Sequence, residues 1–522
     1  MPLEDFSVLA FKSGHDGCMA SVSGGRLVFA MEAEKDNEAR FAPVGPLAVI
    51  KALERCAAPP RVIAHSGWSK GGDPAGQPVG GGYLGLDTAQ ERESGFAGFP
   101  CRLFFSSHER SHLMCAYGLS PFKQGEPCYA LIWEGHLGAI YFIDADVGIT
   151  RIGEVLRDPG VRYAFLYGLA DPAFDLPRGA IRLSDAGKLM ALAAYADGQA
   201  VCAQGHALVA RLLDPAIEGR DLCKQDFSAS EFHDIGVTHP GFANLAALFS
   251  NRLHERFQQA VEALVPAGAL FLIGGGCGLN CEWNSRWRDS GRFAGVFVPP
   301  CTNDSGSAIG TAVDAMFHYT GHAKLEWQVY AGEAPVRDVS GCAGFVSRPY
   351  LAADAARLLA QGKVLGWMQG RYEMGPRALG ARSILAAPYP RAMLERLNRI
   401  KGRENFRPIA PICLEEEMGL YFSSGQPSPY MLEFRRVISD AIPAATHVDR
   451  SARPQSVNAA SHRGIHELLT AFRMQSGIGV LCNTSLNFNG AGFINTLSDL
   501  GRFALAKGLD GFVFESELFL AQ

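Results

Sequence analysis

The chain opens with three short runs in which apolar and polar positions alternate or β-forming residues cluster: Ser7–Phe11, Cys18–Ser23 and Leu27–Met31. Gly and polar turns separate them, a pattern that predicts three consecutive strands. Pro46–Cys56 has apolar residues at helical spacing, and Arg61–Ser66 has the make-up of a strand. Gly67–Gly98 is rich in Gly, Pro and polar residues and reads as a long functional loop or lid. A strand at Arg102–Phe105 and a helix starting near Ser107 follow, with Ser107 suited to the N-cap. Tyr129–Trp133 and Ala139–Asp144 open a second strand set, with helices expected near Gly187–Ala196 and Asn244–Leu264. Leu270–Ile273 reads as a strand running into the Gly274-Gly275-Gly276 loop, Ala294–Val298 as another, and a helix is expected from about Ser305. Strand sets with helices between them, occurring twice, predict an α/β protein with two similar halves. Periodicity fades over His318–Val346, which puts a domain boundary near Ser340 and divides the chain into 1–340 and 341–522. Beyond it a helix is expected at Ala352–Leu359 and strands at Val364–Trp367 and Val480–Cys482.

At 522 residues the chain is too long for one ordinary domain, and its 48% hydrophobic content suffices for more than one core. A net charge of −5 argues against nonspecific nucleic-acid binding. The longest uncharged apolar run, Ala263–Leu279, is broken by Pro266 and by glycines from Gly268 to Gly278, so it is not a membrane span. The opening residues lack a basic segment followed by an apolar one, so no secretory signal and a cytoplasmic location are expected. Thirteen cysteines without a CxxC pair read as free thiols, and Cys277 with Cys281 is too little for a metal site.

Charge is uneven. Between Lys363 and Arg407 stand ten basic side chains, including Arg371, Arg377, Lys401, Arg403 and Arg407, against three acids. Arginine grips phosphate and carboxylate oxygens in pairs, and Gly and Pro between these residues favour loops, so the cluster suits a small anion. On charge alone it is equally a solvated basic face or an RNA-binding patch. Gly14-His15-Asp16-Gly17 lies in a turn between two predicted strands; its amides could meet phosphate and His15 could act as a base, or Asp16 and Gly17 merely make the bend. His108 and His112 are four apart on the helix expected from Ser107, so they share one face and could share a metal. With Glu109 they also spell HExxH, the zinc-protease signature. Two structural histidines are the third reading. Gly274–Gly276 follows a strand and suits nucleotide phosphates, but it is neither GxGxxG nor a P-loop.

The string GRYEMGPRALGARSIL followed by KGRENFRPIAP resembles the C-terminal domain of the O-carbamoyltransferases of the nodulation-factor, tobramycin and cephem type. Further segments resemble that family in its order: the HxxxH pair, Thr302–Gly310 with Asp304, the Trp133–Gly138 loop with Glu134, Gly187–Tyr195, His447–Val457 with Arg453, and Asn483–Asn487 with Ser485. The wording around His15 is most similar to the cephem branch. The resemblance implies an actin-like ATPase fold, duplicated, for the N-terminal domain and a YrdC-like α/β C-terminal domain. It implies that carbamoyl phosphate and ATP give carbamoyl adenylate in the C-terminal domain, with Arg377, Lys401, Arg407, Arg453, Ser485 and Asn487 holding the anionic groups. It also implies a divalent metal, iron in the family, on His108, His112 and Asp304, besides any Mg that accompanies ATP. Glu134, Gly274, Gly275, Gly276 and Asn280 would face nucleotide. His15 and Asp16 would stand where a hydroxyl of a small-molecule acceptor takes the carbamoyl group. A transferase acting on tRNA or protein, and a non-enzymatic actin-like ATP-binding regulator, are the alternatives.

Overall fold

The computed structural model describes residues 1–35, 39–67, 80–86, 90–96, 98–488 and 492–522. Strand β1 (Ser7–Lys12) is apolar on both faces and lies centrally in its sheet. It pairs antiparallel with β2 (Cys18–Ser23), which pairs with β3 (Arg26–Glu32). Helix α1 (Pro46–Glu54) precedes β4 (Val62–Gly67), which runs parallel to β1; parallel neighbours need such a crossover. Strand β5 (Gln90–Phe96) forms a hairpin with β6 (Phe99–Ser107), itself parallel to β4. The order is β3-β2-β1-β4-β6-β5. Leu9, Phe11, Met19, Phe29 and Met31 pack with Ala52 and Ile63. The segment expected as one loop, Gly67–Gly98, thus contains a strand, while 68–79, 87–89 and 97 lie outside the described residues. Helix α2 (His108–Leu119) follows β6 directly.

The next residues, 122–298 with 447–449, form a compact unit, and everything else forms another. In the 122–298 unit β7 (Cys128–Trp133), β8 (Gly138–Ile143) and β9 (Ile149–Glu154) make an antiparallel meander. Helices α3 (Pro159–Ala170), α4 (Asp185–Ala193), α5 (Ala203–Leu212) and α6 (Pro240–Leu264) lead to β10 (Leu270–Gly274), parallel to β7. Helix α7 (Cys281–Asp289) and β11 (Gly295–Phe297), parallel to β10, complete it. The order β11-β10-β7-β8-β9 repeats β6-β4-β1-β2-β3 strand for strand. Each is a three-stranded meander extended from its first strand by two parallel strands, which is the pair of similar halves that the strand pattern predicts.

The larger unit resumes with a 3-10 turn, Asp304–Gly306, and helix α8 (Ser307–Thr320), which packs on α2 and against β1. The approach to α2 depends on Gly310: a Cβ there would lie 1.8 Å from the Ser111 carbonyl oxygen. Then come β12 (Phe345–Pro349), α9 (Ala352–Ala360), β13 (Leu365–Met368), β14 (Arg382–Ala386), α10 (Ala392–Ile400) and β15 (Ala410–Leu414). Short α11 (Met418–Tyr421) and the pair β16 (Arg435–Arg436) and β17 (Ser451–Ala452) precede β18 (Gln455–Val457). The chain ends with α12 (Arg463–Ser476), β19 (Val480–Ser485), α13 (Leu497–Lys507), β20 (Gly511–Phe514) and β21 (Glu517–Ala521). The sheet runs β12-β21-β20-β13-β14-β19-β15-β18. Alternation along the strands sends Leu365, Trp367, Leu481 and Val513 against α9 and α12. It sends Met368, Cys482, Phe512 and Phe514 against α10 and α13, so helices cover both faces. This sheet begins at Phe345, just beyond Ser340, although the division by contacts keeps residues on both sides of Ser340 in one unit. Among the described residues no helix is long and apolar enough to cross a membrane.

Candidate functional site

Ser107 caps α2, its hydroxyl oxygen accepting from the Arg110 amide. One turn apart on that helix, the Nε2 atoms of His108 and His112 lie 3.2 Å from each other. Asp304, at the start of the turn before α8, brings Oδ1 to 3.6 Å from His108 Nε2 and 3.3 Å from His112 Nε2. All three residues are buried. Ligand atoms about 2.0–2.2 Å from a common tetrahedral ion stand roughly 3.4 Å apart, so this set fits one divalent metal. Burial alone would raise the Asp304 carboxyl, but His108, His112 and Lys12 outweigh it and hold it well below the usual range.

Residues 80–86 close over the N-terminus of α2. The carbonyls of Gly82 and Tyr83 accept from the amides of His108 and Glu109, which a helix start otherwise leaves unpaired. The Tyr83 ring stacks on His108, with centroids 4.8 Å apart. Glu109 is buried and its carboxylate accepts from the Gly85 amide at 2.8 Å. That engagement removes the base a zinc protease would need, so the HExxH reading is set aside.

Lys12 is fully buried at the end of β1, a placement that local pattern does not predict for a lysine. Its ammonium stands 2.9 Å from Asp304 Oδ2 and 3.3 Å from His15 Nδ1, and donates to the His15 carbonyl. His15 Nε2 faces Asp304 Oδ2 at 3.6 Å. An ammonium beside Nδ1 leaves the imidazole proton on Nε2, pointing at the carboxylate, so this geometry suits an orienting group better than a base. Asp16 adopts a left-handed backbone, φ 50°. Burial first, then the charges of Asp304 and Glu34, push its carboxyl up to about 7.

The basic stretch resolves into several roles. Arg382 is buried and spends its guanidinium on Asn495 and on backbone carbonyls, so it is structural. Arg371 likewise binds the carbonyls of Gly332, Ala331 and Val28. Helix α10 buries Met393, Leu394, Leu397 and Ile400 on one face and ends with Lys401 as its C-cap. Lys401 is buried, its ammonium donating to the Ser485 carbonyl at 2.7 Å and to the Asn487 side-chain oxygen. Ser485 Oγ also donates to Asn487 Oδ1, at 2.7 Å, so these three predicted residues do meet. Burial, and the charges of Arg403, Arg40 and Arg407, hold the Lys401 amine well below its ordinary value. Arg403, half-buried on the turn after α10, is pushed down to about 9 by desolvation and by Arg407 and Arg453. Arg453 Nε is buried and, among the described residues, without a hydrogen-bond partner. Arg377 sits half-buried on the loop before β14; the neighbouring Ala378 carbonyl accepts from Asn483 on β19.

In the 122–298 unit the β7–β8 turn carries Glu134, buried, whose amide bonds to Leu137. Gly275 follows β10 with φ 89°, and a Cβ there would lie 2.4 Å from the Trp133 carbonyl oxygen. Gly274 ends β10 and Gly276 starts a 3-10 turn. Asn280, expected to face nucleotide, spends its carbonyl oxygen capping α7 through the amides of Glu282 and Trp283. Its side chain also engages the buried Tyr163 hydroxyl, so the residue reads as part of the framework of this turn.

The chain matches the family description "Carbamoyltransferase N-terminus" over residues 97–214 and 227–313, and "Carbamoyltransferase C-terminus" over 356–520. It is 44% identical to a 3'-hydroxymethylcephem-O-carbamoyltransferase of Amycolatopsis lactamdurans, over 97% of this chain and 98% of that one. It is 34% identical to nodulation protein U of Rhizobium fredii, over 93% and 90%. Among solved structures, a ROK hexokinase from Thermus thermophilus superposes with a TM-score of 0.29 at 14% identity, over 59% of this chain and 98% of that one.

Proposed function

This chain belongs to the carbamoyltransferase family, and we propose that it carbamoylates a hydroxyl of a small acceptor in two half-reactions. In the first, carbamoyl phosphate, ATP and one water give carbamoyl adenylate, phosphate and pyrophosphate. The observation that carries this reading is the buried ammonium of Lys401, with the half-buried Arg403, Arg407 and Arg453 gathered near it. These cations outnumber Glu404, the acid 3.9 Å from Arg407, and such an excess of positive charge calls for an anion, which two polyanionic substrates supply. Lys401, Arg403, Arg407, Arg453 and Arg377 bind phosphoryl oxygens and offset charge as it develops, while Ser485 and Asn487 orient them. No protein nucleophile is needed.

In the second half-reaction the acceptor hydroxyl attacks the carbamoyl carbon, the bond from that carbon to the adenylate oxygen breaks, AMP leaves and the hydroxyl proton passes to solvent. A divalent ion on His108, His112 and Asp304, iron by family resemblance, would supply Lewis acidity toward phosphate oxygen. Lys12 and His15 steady Asp304, and Tyr83 fixes the plane of His108. Gly274–Gly276 and Glu134 form the nucleotide-facing part of the other unit, with Asn280 holding the turn between them and α7. The repeated strand order supports an actin-like N-terminal domain, 1–340, and helices on both faces of the last sheet suit a YrdC-like domain, 341–522. Near-full-length similarity to an enzyme named for 3'-hydroxymethylcephem supports a hydroxymethyl acceptor.

The test is to incubate the chain with carbamoyl phosphate, ATP and a panel of hydroxymethyl compounds, cephems included, and to follow acceptor mass. Gain of one carbamoyl group, dependent on both ATP and carbamoyl phosphate, is the expected result. Transfer without ATP would overturn the adenylate step.

A further inference from the structure

Glu32, at the end of β3, and Lys35, in the 3-10 turn after it, are buried and paired at 2.9 Å. Their remaining bonds go to one place. Lys35 Nζ donates to the carbonyls of Glu373, at 2.5 Å, and Gly375, at 2.8 Å. The Gly375 amide donates back to Glu32 Oε1 at 2.6 Å. The ammonium also lies 5.3 Å from the Tyr372 ring centroid and 4.7 Å from that of Phe493. A pair drawn from residues 32–35 therefore grips the backbone of a loop some 340 residues later, two residues before Arg377.

The same loop is wedged against the strand-to-helix connection that ends in Asp304. Gly375 has φ 86°, and a Cβ on it would lie 2.2 Å from the Pro300 carbonyl oxygen. Within the loop, the Glu373 carboxylate accepts from the Leu379 amide at 2.5 Å. Burying two charges costs several kcal/mol each, and a pair of apolar side chains would often hold a fold as well. What an apolar pair could not do is bond two carbonyls and an amide of this loop at once. Burial pushes the Glu32 carboxyl up, with Lys35 pulling the other way, so the acid depends on its partner.

We propose that Glu32 and Lys35 are positioning residues, a clamp that fixes the 371–377 loop and with it Arg377 for the adenylate-forming step. This rests on the function proposed above. The clamp acts through backbone and touches no substrate. A loop shifted by about 1 Å can lose roughly 100-fold in rate, so release of its grip shows in catalysis well before it shows in folding.

Two variants separate positioning from packing. Lys35→Met leaves Glu32 buried without its cation and lowers the unfolding midpoint. Glu32→Gln/Lys35→Met removes both charges, keeps an acceptor for the Gly375 amide and regains most of that midpoint. Both variants are expected to release pyrophosphate from ATP and carbamoyl phosphate about 10- to 100-fold more slowly than wild type. Amides of residues 371–380 should exchange with deuterium faster in both, while cobalt binding at His108 and His112 stays unchanged. A double variant with a restored midpoint, wild-type pyrophosphate release and unaltered exchange would overturn the clamp, leaving a pair that only neutralises itself. If wild type itself releases no pyrophosphate, the adenylate reading fails and exchange alone decides: unaltered protection of 371–380 in Lys35→Met overturns the clamp, and faster exchange upholds it.

Discussion

The two charged clusters of the larger unit are built on opposite principles. Around Asp304, charge is balanced within the protein: one carboxylate meets Lys12 and the imidazoles of His108, His112 and His15. Around Lys401 cations predominate, although Arg407 lies 3.9 Å from Glu404, and the hydrogen bonds of the ammonium go to neutral oxygens of Ser485 and Asn487. The first cluster rests on close helix packing, with α8 passing α2 at Gly310. The second gathers where α10 and β19 end and on the turn that follows α10. Balanced charge is stable without a ligand. An excess of cations held out of water stores unfavourable energy that an anion relieves.

The strongest way to break this comparison is a pair of matching substitutions. Lys401→Met should reduce carbamoyl-phosphate-dependent pyrophosphate release by at least about 100-fold, yet leave the ligand-free fold as stable as wild type or raise it by about 1–4 kcal/mol. Lys12→Met should instead lower stability of the metal-free protein by about 1–3 kcal/mol, because Asp304 loses a buried cation while keeping the imidazoles of His108 and His112. Calorimetry on both would show opposite signs; equal losses would erase the distinction.

Next in size is the close packing itself. Gly310→Ala must push Ser111 and α2 away, and should cost about 1–3 kcal/mol together with most of the cobalt affinity of the histidine pair. A cobalt titration monitored by absorbance checks this.

A smaller effect is expected with pH. A lysine whose amine is depressed in the fold below its ordinary 10.5 binds fewer protons folded than unfolded between the two values. Ligand-free stability should therefore rise as pH climbs through that interval toward 10.5. Carbamoyl phosphate, by favouring the ammonium, should flatten the rise, and Lys401→Met should reduce it, leaving the part that Arg403 contributes above about pH 9. Midpoints recorded against pH give the comparison.

The smallest change belongs to Glu109→Gln. The amide oxygen still accepts from Gly85, so stability should shift by less than about 1 kcal/mol and carbamoyl transfer should persist.

What could be read in advance follows the physics of each element. Spacing by four put His108 and His112 on one face, and Ser107 announced the helix that carries them. Asp304 lies 192 positions beyond His112 (304 − 112), so local pattern could not join it to them; family resemblance did. Helix α3 escaped notice because Val161–Ala170 is buried on every side and shows no polar face, even Arg162 being spent on carbonyls of Leu212 and Asp214. Strand β5 was hidden in a stretch dominated by Gly and Pro. Arg403 is one of ten basic residues in a cluster that suits an anion, and nothing in the local pattern singles it or Lys12 out. Their importance lies in burial and in neighbours far along the chain, which composition does not encode.

The most direct measurement is pyrophosphate release from ATP, with and without carbamoyl phosphate and without acceptor, in wild type, Lys401→Ala and His108→Ala. Release that requires carbamoyl phosphate, vanishes in Lys401→Ala and survives in His108→Ala is the predicted result. Release lost equally in both variants, or independent of carbamoyl phosphate, would contradict two sites with divided labour.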